Sequence, residues 1–328
     1  MNGKGAPRSV VGFEQELPDF TDCSFTTPEA LADWSAVIHE GGPVRGLNRH
    51  MPAFGDALSD DEIERVIHHV WTFCTNPSWP RGDLNFPRVF FTEKAFPENE
   101  FVVTTLVNTS GAKGVGNEMQ FERRLGTRNQ FEMTVPFEMQ QNAGGQNSGT
   151  RWSRGLGDVN VAFRRTLFAS LATGTIASAG GEVALPTGKE SADLGAGITV
   201  YEAFAMAGQR LGSSGFVQVH GGAEFPSDRL KQPREYYFRT AVGNSFAQNR
   251  GCGRAWTPSL EVLWAKPERE ASEWDVVPQL QVSLSKLQHV LVAGGVRIPV
   301  NGREERHPQL VTYFLWDWFD GSLFEFWK

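Results

Sequence analysis

Val276 to Val300 reads VVPQLQVSLSKLQHVLVAGGVRIPV. Taken every second residue, Val276, Pro278, Leu280, Val282 and Leu284 fall on one side, and Val277, Gln279, Gln281, Ser283 and Ser285 on the other. The alternation restarts after Lys286-Leu287-Gln288. Val290, Val292, Gly294, Val296, Ile298 and Val300 then share a face, opposite Leu291, Ala293, Gly295 and Arg297. Side chains alternate across a strand, so this spacing predicts a hairpin with one apolar face and one small or polar face. Each arm is about ten residues long, the length of a tilted strand that crosses a bilayer.

The same alternation marks further segments upstream and downstream: Phe101–Val107, Glu118–Leu125, Asn129–Gln141, Gly157–Ala169, Thr175–Thr187, Leu194–Met206, Phe216–Phe225, Glu235–Ala247, Trp256–Ala265 and Gln309–Phe319. With the hairpin they make about twelve strands, a number within the range of membrane barrels. The polar faces carry Glu132, Glu138, Arg164, Glu182, His220, Glu224, Arg239, Glu261 and Arg297. A dry sandwich core would not hold so many charges, whereas a wet or ion-paired lumen would. Connections alternate between short (Gly126–Arg128, Leu171–Gly174, Lys286–Gln288) and long (Asn142–Leu156, Pro226–Arg234, Asn301–Pro308), as periplasmic turns and outer loops do. Trp256, Trp264, Trp274, Trp316, Trp318 and Trp327 sit near segment ends, where an interfacial aromatic girdle belongs. These features predict an antiparallel transmembrane β-barrel over 101–328, with both ends of the barrel in the periplasm. Residues 100–320 also resemble, in pattern, outer-membrane channel-type barrels. That resemblance implies an outer-membrane location, a lipid bilayer as partner and passage of small solutes.

Residues 1–76 follow other rules. Thr27-Pro28 has the form of a helix N-cap and first-turn pair, with Leu31, Trp34, Val37 and Ile38 at helical spacing and Gly41-Gly42-Pro43 as a stop. Ser59 and Glu62 form a capping box, and Ile63, Val66, Ile67, Val70, Trp71 and Cys74 form the buried stripe of the helix that follows. MPAFGDALSDDEIERVIHHVWTF, from Met51, resembles the C-terminal third of a small c-type cytochrome, and Met1-Asn2-Gly3-Lys4-Gly5-Ala6-Pro7 resembles the stretch after C-x-x-C-H-G in that family. The likeness implies a small all-α cytochrome c-like domain in the periplasm, with Met51 as axial ligand to a haem c iron and a periplasmic redox partner. A soft thioether suits that role. The C-x-x-C-H motif itself is absent; the expectation is that it lies upstream of Met1 together with a signal peptide. His39, His50, His68 and His69 are substitute ligands of lower rank. Cys23 and Cys74 bracket the domain and are either a periplasmic disulfide or two separate thiols. Residues 77–100, with Pro77, Pro80, Pro87 and Pro97, read as a linker.

A net charge of −7 over 328 residues gives no sign of nucleic-acid binding. Motifs for phosphate loops, dinucleotides, serine nucleophiles or zinc are missing, so no catalytic constellation is expected. Three functions compete: a barrel with a cytochrome-like domain serving electron transfer or redox-linked passage of small molecules, a passive outer-membrane channel for small or hydrophobic compounds with a haemless remnant domain, and a soluble ligand-binding β-protein.

Overall fold

The alternating half of the chain becomes a single antiparallel sheet closed on itself. The structure, a computed structural model, describes residues 2–318 except 13, 15–16, 46, 112, 143–150, 248–253, 286–287, 289 and 305. Its strands are β1 (Glu100–Asn108), β2 (Gly114–Leu125), β3 (Asn129–Asn142), β4 (Arg151–Leu156), β5 (Val159–Ser170), β6 (Thr175–Leu185), β7 (Val200–Leu211), β8 (Gly215–Pro226), β9 (Glu235–Asn244), β10 (Phe246–Ala247), β11 (Ala255–Pro267), β12 (Glu273–Ser283), β13 (Val290–Pro299) and β14 (Gln309–Asp317). β4 and β5 both pair with β3 and form one interrupted strand. β9 and β10 both pair with β11 and form another. β14 pairs with β1 from Glu100↔Asp317 to Asn108↔Gln309, which closes a barrel of 12 strands. Closure matters because every interior strand edge is then satisfied by a neighbour.

The barrel strands face as the alternation requires. In the β12–β13 hairpin, Gln279↔Gly295 and Gln281↔Ala293 point inward, and Leu280↔Gly294 and Val282↔Val292 point outward. The outward set is apolar and uncovered, from Val262 at 37% exposure to Leu167 at 61%. Trp264 and Trp274 meet at the end of the β11–β12 pair, with ring centroids 6.4 Å apart. Trp256 and Trp316 lie at the other rim of the same wall. Trp327 lies outside the described residues. The loop expected over Asn142–Leu156 is shorter than that range, because Arg151–Leu156 pairs with Phe137–Asn142 as strand. β7 likewise begins at Val200, not at Leu194.

The beginning of β1 and the end of β14 share a rim with the turns at 126–128, 171–174 and 212–214. A helical unit sits against this rim: α1 (Arg8–Val11), α2 (Cys23–Thr26), α3 (Leu31–Glu40) and α4 (Asp60–Trp71). No described helix is long and apolar enough to cross a membrane. α4 starts at the expected box, where the Glu62 carboxylate accepts from Ser59 N at 2.9 Å and Ser59 Oγ at 2.8 Å. Those two bonds hold its pKa below the ordinary value. Ile63, Ile67 and Trp71 pack with Ile38, flanked by Trp34, Met51, Leu58 and Leu171 of the β5–β6 turn. Val66 is 44% exposed, so the buried stripe is narrower than its spacing suggested. Thr27 does not cap a following helix. It ends α2, with its Oγ1 donating to Cys23 O at 2.6 Å. α3 begins at Leu31, whose N–H donates to Asp83 Oδ1 at 3.2 Å. Burial pushes the Asp83 carboxyl above its usual pKa. Cys23 and Cys74 are disulfide-bonded, with Cα atoms 5.1 Å apart.

The largest departure concerns residues 77–99. The spacing of prolines predicts a connecting linker, but from Leu84 onward the segment enters the barrel and packs against its inner wall. Leu84, Phe86, Val89, Ala95 and Phe96 are buried with Ile176, Met206, Phe216 and Ala241 from the inner wall. We call this segment the plug. Closure of the wall predicts a gel test: unboiled and boiled protein should migrate as two distinct species on SDS gels, and a single mobility under both conditions would overturn a closed barrel.

Candidate functional site

The site is the lumen and the plug within it. Inward glycines make room for plug rings. A Cβ at Gly208 would strike the Phe86 ring at 2.6 Å, and one at Gly295 would strike the Phe90 ring at 2.7 Å. Phe86 stacks on Phe216 with centroids 6.1 Å apart, and Phe90 meets Tyr313 edge-on at 5.2 Å. The remaining fit is polar, and it divides into two anchors.

The first anchor is Glu261, which has no solvent exposure. Its Oε1 accepts from Phe90 N at 2.9 Å, and its Oε2 accepts from Phe91 N at 3.1 Å, Thr92 N at 2.7 Å and Thr92 Oγ1 at 2.8 Å. Gln279 Nε2 donates to Oε1 at 2.6 Å. A buried carboxylate is tolerable only when its lone pairs are filled in this way, and three of the donors are consecutive plug amides. Neighbouring wall residues hold the carbonyl side. Arg239 Nη1 donates to Phe91 O at 2.9 Å, Tyr313 Oη to Arg88 O at 3.0 Å, and Gln218 Nε2 to Pro87 O at 2.9 Å.

The second anchor is a charge network. Arg88 reaches from the plug to Glu122 at 2.6 Å, Glu100 at 3.3 Å and Gln120 at 2.5 Å. Lys94 bridges Glu98 and Glu100, each at 2.7 Å. From the wall, Arg164 reaches Gln130 at 2.9 Å, Glu122 at 3.3 Å, plug Glu93 at 3.3 Å and the carbonyl of Phe96 at 3.3 Å. Gln120 donates to Glu132 at 2.6 Å, and Gln130 donates to Glu122 at 2.5 Å. The carboxylates outnumber the cations, and these carboxamides serve the surplus. Oxygens of Glu93, Glu122 and Glu132 come within 4.8 Å of one another, a spacing that would suit a metal ion. Arg88 and Arg164 already supply the counter-charge there.

Of the residues singled out from sequence, Glu132 supports the plug through Gln120 and Arg164 of the wall, and Arg164 and Glu261 hold it directly. Arg239 does so through Phe91, and His220 accepts from Glu93 N at 3.4 Å while lying 3.0 Å from the Tyr237 hydroxyl. Arg297 pairs with Asp275 at 2.6 Å. Glu182 and Glu224 stand apart, in a row made by strand register: Glu182↔Glu202, Glu202↔Glu224, Glu224↔Glu235. Glu138 lies opposite Gly116 and Gly155 on the inner side of β3. Sequence reasoning passed over Arg88, Glu93, Lys94, Glu98, Glu100 and Glu122. One signal was present: a solvated linker has no use for Phe86, Phe90, Phe91 and Phe96.

Among the described residues, the cysteines of the helical unit are not free to hold a haem. Attachment needs two free cysteines beside a histidine, and Cys23 and Cys74 are joined to each other. Met51 packs against the Ile38–Ile63–Ile67–Trp71 cluster. His39 lies 2.9 Å from Glu40, His68 meets Trp71 at a tilt, and His69 meets Phe73 edge-on.

The anchors predict their own test. Glu261→Ala leaves the amides of Phe90, Phe91 and Thr92 without their acceptor. Amide exchange across the plug should accelerate by about tenfold or more in the folded barrel, the equivalent of about 1.4 kcal/mol for one lost charged acceptor. Glu268→Ala removes an exposed rim partner of Arg229 and should leave that exchange unchanged.

No family model matches the chain, and no curated protein matches it. Solved structures do. An outer-membrane channel from Pseudomonas putida F1 aligns over 70% of this chain and 99% of its own, at 14% identity and a TM-score of 0.47. The KdgM porin aligns over 66% of this chain and 98% of its own, at 8% identity and a TM-score of 0.44. The NanC porin gives the same coverages, identity and TM-score.

Proposed function

We propose that this chain is an outer-membrane channel for small polar solutes that rests with its lumen plugged. The observation that carries this reading is the partition of side chains across the barrel wall. Outside are bare aromatic and aliphatic groups such as Phe163, Leu167, Phe168, Phe238 and Leu280, while carboxylates, guanidiniums and carboxamides lie inside. Such a wall is stable where hydrocarbon meets its outer face and its own backbone bonds are all made internally. The barrel strands, 9 residues in β1 and β14 and up to 14 in β3, are long enough to cross when tilted. The rim with short turns and the helical unit is then the periplasmic side.

Passive passage has more support than electron transfer, since the closed barrel has the form of a conduit and the paired cysteines of the helical unit are not free to hold a haem. The lumen chemistry favours polar solutes over hydrophobic ones. The row of Glu182, Glu202, Glu224 and Glu235 favours cations among them.

In a planar bilayer the native chain should show small, infrequent openings. Loosening either anchor, by Glu261→Ala or Arg88→Ala, should raise mean conductance by about tenfold or more, in line with the loss of one buried charged partner. Reversal potentials in a salt gradient should report cation preference, and Glu182→Gln with Glu224→Gln should weaken it. Absence of conductance from every one of these variants would overturn the channel reading.

A further inference from the structure

The plug has a root, and the root is clamped by the parts of the helical unit that the disulfide joins. Cys23 is the first residue of α2, and Cys74 follows the end of α4. Arg81 donates from Nη1 to Thr26 O at 3.1 Å and from Nη2 to Trp71 O at 3.2 Å, so one guanidinium ties together the two segments that the sulfurs tie. The same guanidinium lies over the Trp71 ring, 4.5 Å from its centroid. Gly82 N donates to Thr27 O at 2.7 Å, and Gly82 packs so closely on the Pro28 carbonyl that no side chain fits. Asp83 holds the first amide of α3. Leu84, the next residue, is already buried in the lumen. Residues 81–83 are thus gripped by α2, the start of α3 and the end of α4. Cys23 and Cys74 are themselves only half-buried, within reach of a reagent from solvent.

We infer that the Cys23–Cys74 disulfide is a redox-sensitive foot for the plug, closed in the oxidised state and loosened when a dithiol reduces it. In the exchange, one thiolate of the dithiol attacks a sulfur of the pair and displaces the other as a thiolate. The second thiolate of the reagent then resolves the mixed disulfide. Two electrons pass to Cys23 and Cys74, which take up two protons as thiols, and the reagent closes to its own disulfide. With the covalent tie gone, the links between α2 and the end of α4 among the described residues are Arg81 and packing. The grip on residues 81–83 weakens, and the plug spends more time out of the lumen. This rests on the channel reading above. It assigns to the helical unit a role in gating.

The test uses the full chain in planar bilayers, recorded before and after dithiothreitol. Dithiothreitol should raise mean conductance of the native protein at least threefold. Cys23→Ser with Cys74→Ser should show the raised conductance from the start and gain nothing from the reagent. Glu261→Ala, which frees the plug inside the barrel, should conduct in either redox state. Retention of the unboiled gel species after reduction should show that the barrel itself stays folded. If Glu261→Ala conducts but reduction leaves the native protein unchanged, the disulfide is a structural staple and the inference falls. A response to dithiothreitol that persists in the double serine variant overturns it as well. If neither Glu261→Ala nor the reduced native protein conducts, the channel reading fails first and the inference with it.

Discussion

A barrel of twelve strands is wider than the eight-stranded kind whose inward side chains fill the interior by themselves. Much else in this structure follows from that geometric excess. The wall meets its backbone obligations by closing β14 on β1. Its outer face is free to be apolar. Its inner face encloses a space that small inward residues such as Gly208, Ala241, Ala293 and Gly295 enlarge further. Water could occupy that space, but in this fold the chain's own residues 84–98 enter it. The wall is shaped around them, as the two glycines against Phe86 and Phe90 demonstrate.

The plug is therefore held by a different balance of forces from that of a soluble core. Its rings contribute burial, but its specificity is electrostatic. Glu261 grips three consecutive amides, and Arg88, Lys94 and Arg164 neutralise carboxylates contributed by both plug and wall. Buried pairs of this kind add little net stability against a well-packed apolar alternative, yet breaking one partner is costly, about 3–5 kcal/mol. That asymmetry suits a gate. The closed state is specified residue by residue. If the plug leaves as a unit, water replaces each lost partner on both surfaces, so opening costs far less than the sum of the bonds that break. An apolar plug in an apolar lumen would lack that compensation.

Much of the barrel was legible in the sequence because each strand announces itself locally. Gln279 and Leu280 declare opposite faces within two residues, and the register needs only the neighbouring strand. Inward charges such as Glu132, Arg164 and Glu261 could be marked on the same basis. The plug has no such local signature. Its partners are remote, as with Glu261 for Phe90 (171 residues away) and Gln218 for Pro87 (131 residues away). Its irregular backbone has neither the period of a helix nor that of a strand, so the prolines dominated its reading. The same remoteness hid Asp83 as the partner of Leu31 N, which is why the start of α3 fell at Leu31 and not after Thr27. Spacing puts Val66 in the α4 stripe, but among the described residues α4 packs chiefly on α3, which is too little to cover a broad face.

The arrangement along the barrel axis also orders events. The acidic row from Glu182 to Glu235 lies at the ends of β6, β7, β8 and β9 away from the helical unit, while the root of the plug lies on the helical unit's side. In the proposed channel, a solute arriving from the long-loop rim would meet the carboxylate row before Arg239, His220 and the Phe90–Thr92 turn. Selection by charge would then precede the barrier. The barrier is fastened at its far end, where the solute has not yet reached. Removing the obstruction therefore calls either for a solute that competes for the two anchors from within or for a change at the root from the opposite side. The first route acts on residues 88–98 and the second on residues 81–83 of one segment, which is covalently continuous with β1 at Glu100. Glu100 also carries ion pairs from Arg88 and Lys94, so release of the second anchor would break those pairs, while the peptide link to β1 would keep the plug tethered at that residue.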